Sequence, residues 1–460
     1  MENKTKTKKT TTMNLTTGEP LRVILLFALP LFLSNIFQQL YNLTDISIIG
    51  HALGDDALSA IGSVSIICGF FNSFLFGMGS GLSVVISKYF GAGDEKKLKR
   101  AIANTLFIAA IWGAVITLTG IISLKPLMKM LHTPESIFDM AYSYASIILS
   151  MLIFSFSYNV LSGMLRAIGN SKAPLYFLII SVTINISLDL LFVNILKMGL
   201  SGAAKATIIS QAICVTICFL YILKYVPELH ITRKDMKISH SIILELFSSG
   251  VAFSLMYCVV NFGTLILQGA INSFGEVTIA AHTTARKISE LCMMVLSTLA
   301  NSMATFSGQN HGAGRYDRIK KGLKQILLFS FGIATLLIIM IYSLGNLMVR
   351  GISGSSTPEL INTAMFYLRV DLPFYYVLAI ILITRTTLQG MGAKFVPIAA
   401  SVMELGIKAF TAGYLAKMMG YTGIALCEPI SWLVCAIYIL IVFAYTIKKY
   451  TQTRQTSALN

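Results

Sequence analysis

Long apolar stretches set the limits on this chain. Twelve of them run at roughly 21–48, 57–86, 101–124, 138–164, 174–196, 203–225, 242–271, 277–306, 325–348, 360–386, 396–417 and 423–447. Each is close to or above the roughly 20 residues a helix needs to cross a bilayer. Lipid offers no partner to a free backbone N–H or C=O, so such stretches fold as spanning helices. The expected fold class is an all-α polytopic membrane protein of twelve transmembrane helices. Only 12% of the residues are charged and 55% are hydrophobic. That is about half the charge of a soluble domain, which excludes a water-soluble enzyme and, with so many aromatic and branched residues, a disordered chain.

The net charge of +16 has a topological origin. With both termini inside, the inner segments hold 26 Lys and Arg and the outer connectors five: Lys125, Lys129, Lys197, Arg350 and Lys417. The inner set includes Lys4, Lys6, Lys8 and Lys9 before the first span, Lys96, Lys97, Lys99 and Arg100, and Arg315, Arg318, Lys320 and Lys321. It closes with Lys448, Lys449 and Arg454. This alternation gives an even number of spans and cytoplasmic termini, and needs no nucleic-acid partner. The first span is read as uncleaved, because its apolar stretch is too long for a signal peptide and lacks a small-residue cleavage site. The seven cysteines lie in or beside apolar segments without a CxxC pair, so they read as small buried hydrophobes.

The chain resembles itself at a shift of about 221 residues. Gly91-Ala92-Gly93 with Lys99-Arg100 recurs as Gly312-Ala313-Gly314 with Lys320-Lys321, and Met198-Gly199 as Met419-Gly420. Thr133-Pro134-Glu135 recurs as Thr357-Pro358-Glu359. Each half then holds six spans in one orientation, so two lobes are related by an axis along the membrane normal. The expected divisions are an N-terminal tail 1–20, a first lobe 21–226, a connector 227–241, a second lobe 242–447 and a C-terminal tail 448–460.

These residues look like a multidrug and toxin extrusion (MATE) transporter of a bacterium. The matching pieces are Ala28-Leu29-Pro30 running on to Tyr41-Asn42-Leu43-Thr44-Asp45, the Gly91-Ala92-Gly93 loop, and Leu165-Arg166-Ala167-Ile168-Gly169-Asn170. Asn185 to Asp189, Gly199 to Thr207, Gly308-Gln309-Asn310-His311 and Gln389-Gly390-Met391-Gly392 complete the set. The resemblance implies a V-shaped pair of six-helix bundles in the plasma (inner) membrane. It also implies antiport: organic cations and other amphipathic compounds leave as protons or sodium move in. The expected partners are those small molecules and the lipid bilayer, with no obligate protein partner and a monomeric state.

Acids inside spans are rare and functional by default. Asp45 follows Tyr41 by four residues and Asp189 follows Asn185 by four, so each pair shares a helix face. With Thr207 at the start of span six, they match the first-lobe polar cluster of the family; Asn159 and Ser162 in span four are further candidates. Pro30, mid-span, removes a backbone hydrogen bond and can bend its helix. Carboxyls beside one another in apolar surroundings hold protons to higher pH than in water, and with Tyr, Asn and Thr oxygens they also suit a small hard cation. The coupling ion is therefore H+ or Na+, and no cofactor or metal is expected. Family members with a sodium site in the second lobe carry acids at positions that are Met256 and Leu378 here. Glu404 and Lys408, one turn apart, are expected to pair. Met256, Tyr257, Met293, Met294 and Tyr376 are candidate lining residues of a cleft for cationic compounds.

Gly77-Met78-Gly79-Ser80-Gly81 superficially suggests a phosphate loop, but no GK[ST] follows and close helix packing is the better reading. Without a Walker motif, GxSxG or HExxH, the expectation is not an enzyme. A flippase for a lipid-linked precursor, or an exporter of one specific metabolite, is the alternative.

Overall fold

The computed structural model describes residues 12–459. Lys4, Lys6, Lys8, Lys9 and the side chain of Arg454 lie outside the described residues. The described chain is all helical, with twelve spans once a bent pair is taken as one. They are α1 (Pro20–Leu53), α2 (Asp55–Gly91), α3 (Glu95–Met130), α4 (Glu135–Ser150 and Leu152–Ala167), α5 (Lys172–Ile195) and α6 (Leu200–Tyr225). The second six are α7 (His240–Phe274), α8 (Glu276–Gly312), α9 (Tyr316–Ser353), α10 (Pro358–Gly390), α11 (Phe395–Met419) and α12 (Tyr421–Tyr450). Every apolar stretch became a helix, and most helices run past their apolar stretch into polar ends. The last runs furthest, helical to Leu459 where a separate tail was expected.

The duplication is visible in the backbone. Positive φ recurs at Gly54 and Gly275, Gly93 and Gly314, Gly169 and Gly392, and Gly199 and Gly420. Each stands at the end of a span, where left-handed backbone costs a Cβ-free residue nothing. A π-turn closes α5 at Leu190–Ile195 and another interrupts α11 at Thr411–Leu415. The related spans α4 and α10 are both broken, α4 by a 41° bend and α10 by a 3-10 turn at Leu372–Phe374.

Two apolar cores follow, with one exchange between them. The first joins α2 to α6 around Phe71, Ile86 and Phe156, but also holds Ile242 and Leu246 from the first turns of α7. The second joins α8 to α12 around Phe306, Tyr367 and Trp432, but also holds Leu15 from the segment before α1 and Ile24, Phe27 and Ala28 from its first turns. Each core thus seats the first turns of the other half's leading helix, at the end where the Lys- and Arg-rich connectors lie.

That basic end is closed. Gly77 and Gly81 lie against the α7 backbone, and a Cβ at Gly77 would sit 2.6 Å from Ser254 Cα. Gly79 faces Asn159 on α4, so the glycine-rich run packs helices, as the small residues suggested. Ser254 Oγ donates to the Phe74 carbonyl at 2.7 Å, and Lys88 pairs with Glu245 at 2.6 Å. The segment before α1 is strapped into this seam. Gln309 Oε1 accepts the Leu15 N–H at 3.0 Å while its Nε2 donates to the Ala167 carbonyl at 2.8 Å. Arg318 donates to the carbonyls of Leu15, Thr17 and Gly18.

Candidate functional site

The candidate polar cluster forms between α1, α5 and α6. Because α1 runs on to Leu53, Asp45 lies two turns inside the helix and caps nothing. Asp189 is fully buried and is the last α-helical residue before the π-turn; such turns re-aim side chains and recur at functional sites. The two carboxyl groups are neighbours. With its amide nitrogen toward the carboxyl, Asn185 donates to Asp189 Oδ2 at 2.8 Å and accepts the Thr207 N–H at 3.2 Å. Tyr41 and Thr207 share a hydroxyl hydrogen bond of 3.3 Å. One oxygen of each carboxyl, Oδ1, has no protein partner. Five candidates from three helices therefore meet in one place, with two acceptor atoms left over for a proton or a small cation.

Asn159 stands apart from that cluster, on the wall of an adjoining cavity of about 450 Å³. This volume is in the range that holds a drug-sized molecule. Tyr41 and Asn185 reach the wall too, as do Phe76, Gln211 and Arg166, whereas Asp45 and Asp189 are set back from it. Pro30 is buried in α1, which stays one helix through it, and Ser34 Oγ donates to its carbonyl at 2.9 Å.

A second constellation lies in the other half. Lys408 Nζ sits 2.9 Å from Glu404 and 3.1 Å from Glu428, and Arg286 reaches Glu428 at 3.3 Å. Arg385 approaches Glu404 at 3.9 Å. Asp371, fully buried, accepts from Ser289 Oγ at 3.2 Å, and Arg286 donates to Tyr367. Three cations and three carboxyls from α8, α10, α11 and α12 thus balance in one buried region. Among the described residues no group of three or more His, Cys, Asp or Glu is placed to hold a metal ion.

The MatE family profile matches residues 30–191 and again 252–415, one copy in each half. The chain belongs to the MatE family. Among MatE relatives, the probable multidrug resistance protein YoeA of Bacillus subtilis is 27% identical over 444 residues, spanning 94% of this chain and 95% of its own. The multidrug export protein MepA of Staphylococcus aureus is 22% identical over 426 residues, 90% of this chain and 92% of its own. A solved structure described as the outward-facing conformation of a multidrug resistance MATE family transporter superposes with a TM-score of 0.89. It is 22% identical and covers 97% of this chain and all of that one.

Within this MatE fold the candidate cleft residues take other places. Among the described lining residues of the cavity, Met256, Tyr257, Met293 and Tyr376 are absent. Met256 is buried and its sulfur accepts from Gln389 Nε2 at 3.0 Å. Tyr257 stacks edge-on against Phe76, one layer behind the wall. Met293 packs on the second core, and Tyr376 bonds Thr335 at 2.9 Å. Adaptable side chains here fill helix interfaces, because period alone does not say which neighbour a face meets. Leu378 is buried, as Met256 is, so both of these second-half positions are apolar and enclosed. Glu404 and Lys408 pair as expected, but in a network whose other members, Arg286, Asp371, Arg385 and Glu428, no local spacing reveals. Ser162 serves Arg166 instead of the acid cluster, accepting from Nη1 at 3.2 Å.

Proposed function

We propose that this chain is a secondary active antiporter that exports cationic and other amphipathic compounds in exchange for protons or sodium. Relatives named as multidrug resistance and export proteins support the substrate side of this reading. The observation that carries the coupling side is the adjacency of Asp45 and Asp189 beside the cavity, each with one carboxyl oxygen unpartnered. Two ionised carboxylates have only acceptors, so side by side they are held together by a shared proton. Losing that proton leaves two adjacent negative charges in an apolar lobe, which must separate or take up a cation. Tyr41, Asn185 and Thr207 supply the oxygens and N–H groups that hold either state. Lobes 21–226 and 242–447 alternate access around the cavity, in a plasma membrane with both termini cytoplasmic, as a monomer, with no cofactor and no enzymatic step. In that orientation the closed basic end faces the cytoplasm. A pyrophosphate-linked lipid calls for several arginines, and the described cavity wall carries one.

The test is ethidium efflux from cells and inverted vesicles with proton and sodium gradients collapsed separately. Efflux should stop when one gradient is collapsed, and should stop in Asp45→Asn and Asp189→Asn while both proteins still insert. Normal efflux in both variants overturns the coupling role.

A further inference from the structure

The cavity beside the acid pair carries its own electrostatic signature. Arg166 is the one formally charged side chain among its described lining residues. Its guanidinium has five N–H donors, and the hydrogen bond found for it takes one, to Ser162 Oγ at 3.2 Å. Among the described residues no carboxylate lies within 4.0 Å of it, in contrast to Lys88, Arg286, Arg385 and Lys408. Asp45 and Asp189 are absent from the described lining of the cavity. A cation in a partly enclosed site, with most of its fork unpaired, favours a ligand that brings a negative charge.

We infer that the cavity selects aromatic amphipaths carrying one carboxylate, with Arg166 binding that group. This deepens the export reading and rests on it. A planar carboxylate matches the guanidinium fork with two parallel hydrogen bonds. One arginine balances one negative charge, whereas a phosphate monoester would bring close to two. Asn159, Tyr158 and Gln211 line the same cavity as neutral hydrogen-bonding groups, and Phe76 and Phe253 offer faces to an aromatic body. A cationic amine on the same ligand can sit against those faces, so zwitterions fit as well as anions. Among the cations of the export reading, ethidium included, the cavity favours those that also present an acid.

Rhodamine B and rhodamine B ethyl ester share one dye cation and differ in a carboxylate against its ester. Their binding to purified protein in nanodiscs, read by fluorescence polarisation, isolates the group in question. Wild type should prefer the acid by about tenfold or more, the range of a hydrogen-bonded charge pair. Arg166→Gln should bring that ratio to about one, and Arg166→Lys, which keeps the charge but not the fork, should hold part of it. A wild-type ratio of about one, or a ratio unchanged in a monodisperse Arg166→Gln protein, overturns the inference and leaves the export reading standing. If folded wild type binds neither dye, the export reading falls and the inference falls with it.

Discussion

Glu428→Gln is the sharpest probe of the charged network in the second half. Glu428 Oε1 receives both Lys408 at 3.1 Å and Arg286 at 3.3 Å, and its side chain is 4% exposed. After the change Lys408 still has Glu404 at 2.9 Å. Arg286 keeps only the Tyr367 hydroxyl at 3.4 Å among its described partners, and the region holds one uncompensated positive charge. Removing one partner of a buried pair costs about 3–5 kcal/mol. An unfolding entropy of about 2.1 cal/mol/K per residue, over a chain of 460 residues, makes that a fall in Tm of about 3–5 °C. The fall is larger where the detergent-unfolded chain keeps its helices. Replacing both charges, in Arg286→Met/Glu428→Gln, should recover most of the loss, because a missing pair costs less than half of one. Scanning fluorimetry of purified protein in detergent reads all of these variants. A single variant melting within about 1 °C of wild type, or a double variant that loses the sum of the two singles, refutes the reasoning.

Other outcomes follow from the seam and the connector. Gly77→Leu places side-chain atoms where Ser254 Cα lies 2.6 Å from a Cβ, so α2 and α7 must part. Maleimide modification of the neighbouring Cys258, mapped by mass spectrometry, should rise several-fold, and an unchanged rate sinks the claim. Arg318→Ala removes the donors to the carbonyls of Leu15, Thr17 and Gly18. Hydrogen exchange over residues 15–18 should then quicken about tenfold or more; wild-type protection would show that Gln309 and Asn310 suffice. In the connector, hydrogen bonds from the Thr232 hydroxyl and N–H hold the Asp235 carboxyl below its ordinary value. A depressed carboxyl contributes fully above the unfolded value, about 3.9, and loses its contribution as pH falls through the folded one. Protection of the Thr232 N–H, taken as exchange relative to its intrinsic base-catalysed rate, should therefore be constant between about pH 5 and 8 and fall only in stronger acid.

What the sequence made legible depended on the range of the signal. Spans were readable because each is a contiguous apolar run, and the repeat because its glycines are required by backbone shape at span ends. The acid cluster was readable because Tyr41 with Asp45 and Asn185 with Asp189 are local pairs, each on one face. Glu404 and Lys408 were readable for the same reason. Arg286 and Glu428, 142 positions apart, share no periodic pattern, and Asp371 stands beside a Pro-bearing break that no apolar period marks. Arg166 was counted with the inner basic residues, and charge counting cannot tell a solvated anchor from a cavity wall. By the same limit Met256, Tyr257, Met293 and Tyr376 fall outside the described lining of the cavity: apolar period says that a face is covered, not by what.

The exchanged first turns of α1 and α7 forbid a simple rigid rocking of two bodies. Leu15 to Ala28 stay with the second core while Ile49, near the far end of α1, belongs to the first, and Ile242 and Leu246 do the converse. If the basic end opens, both leading helices are pulled from opposite ends, like two crossed laces. The slack has to come from just beyond each anchored stretch: Pro30, two residues past Ala28, in one, and Gly250, four past Leu246, in the other. Opening then becomes a joint event, in which neither helix yields without loading its counterpart. A spectroscopic label at Met13 would report on it directly, since Met13 packs on the second core while α1 runs on past Asp45.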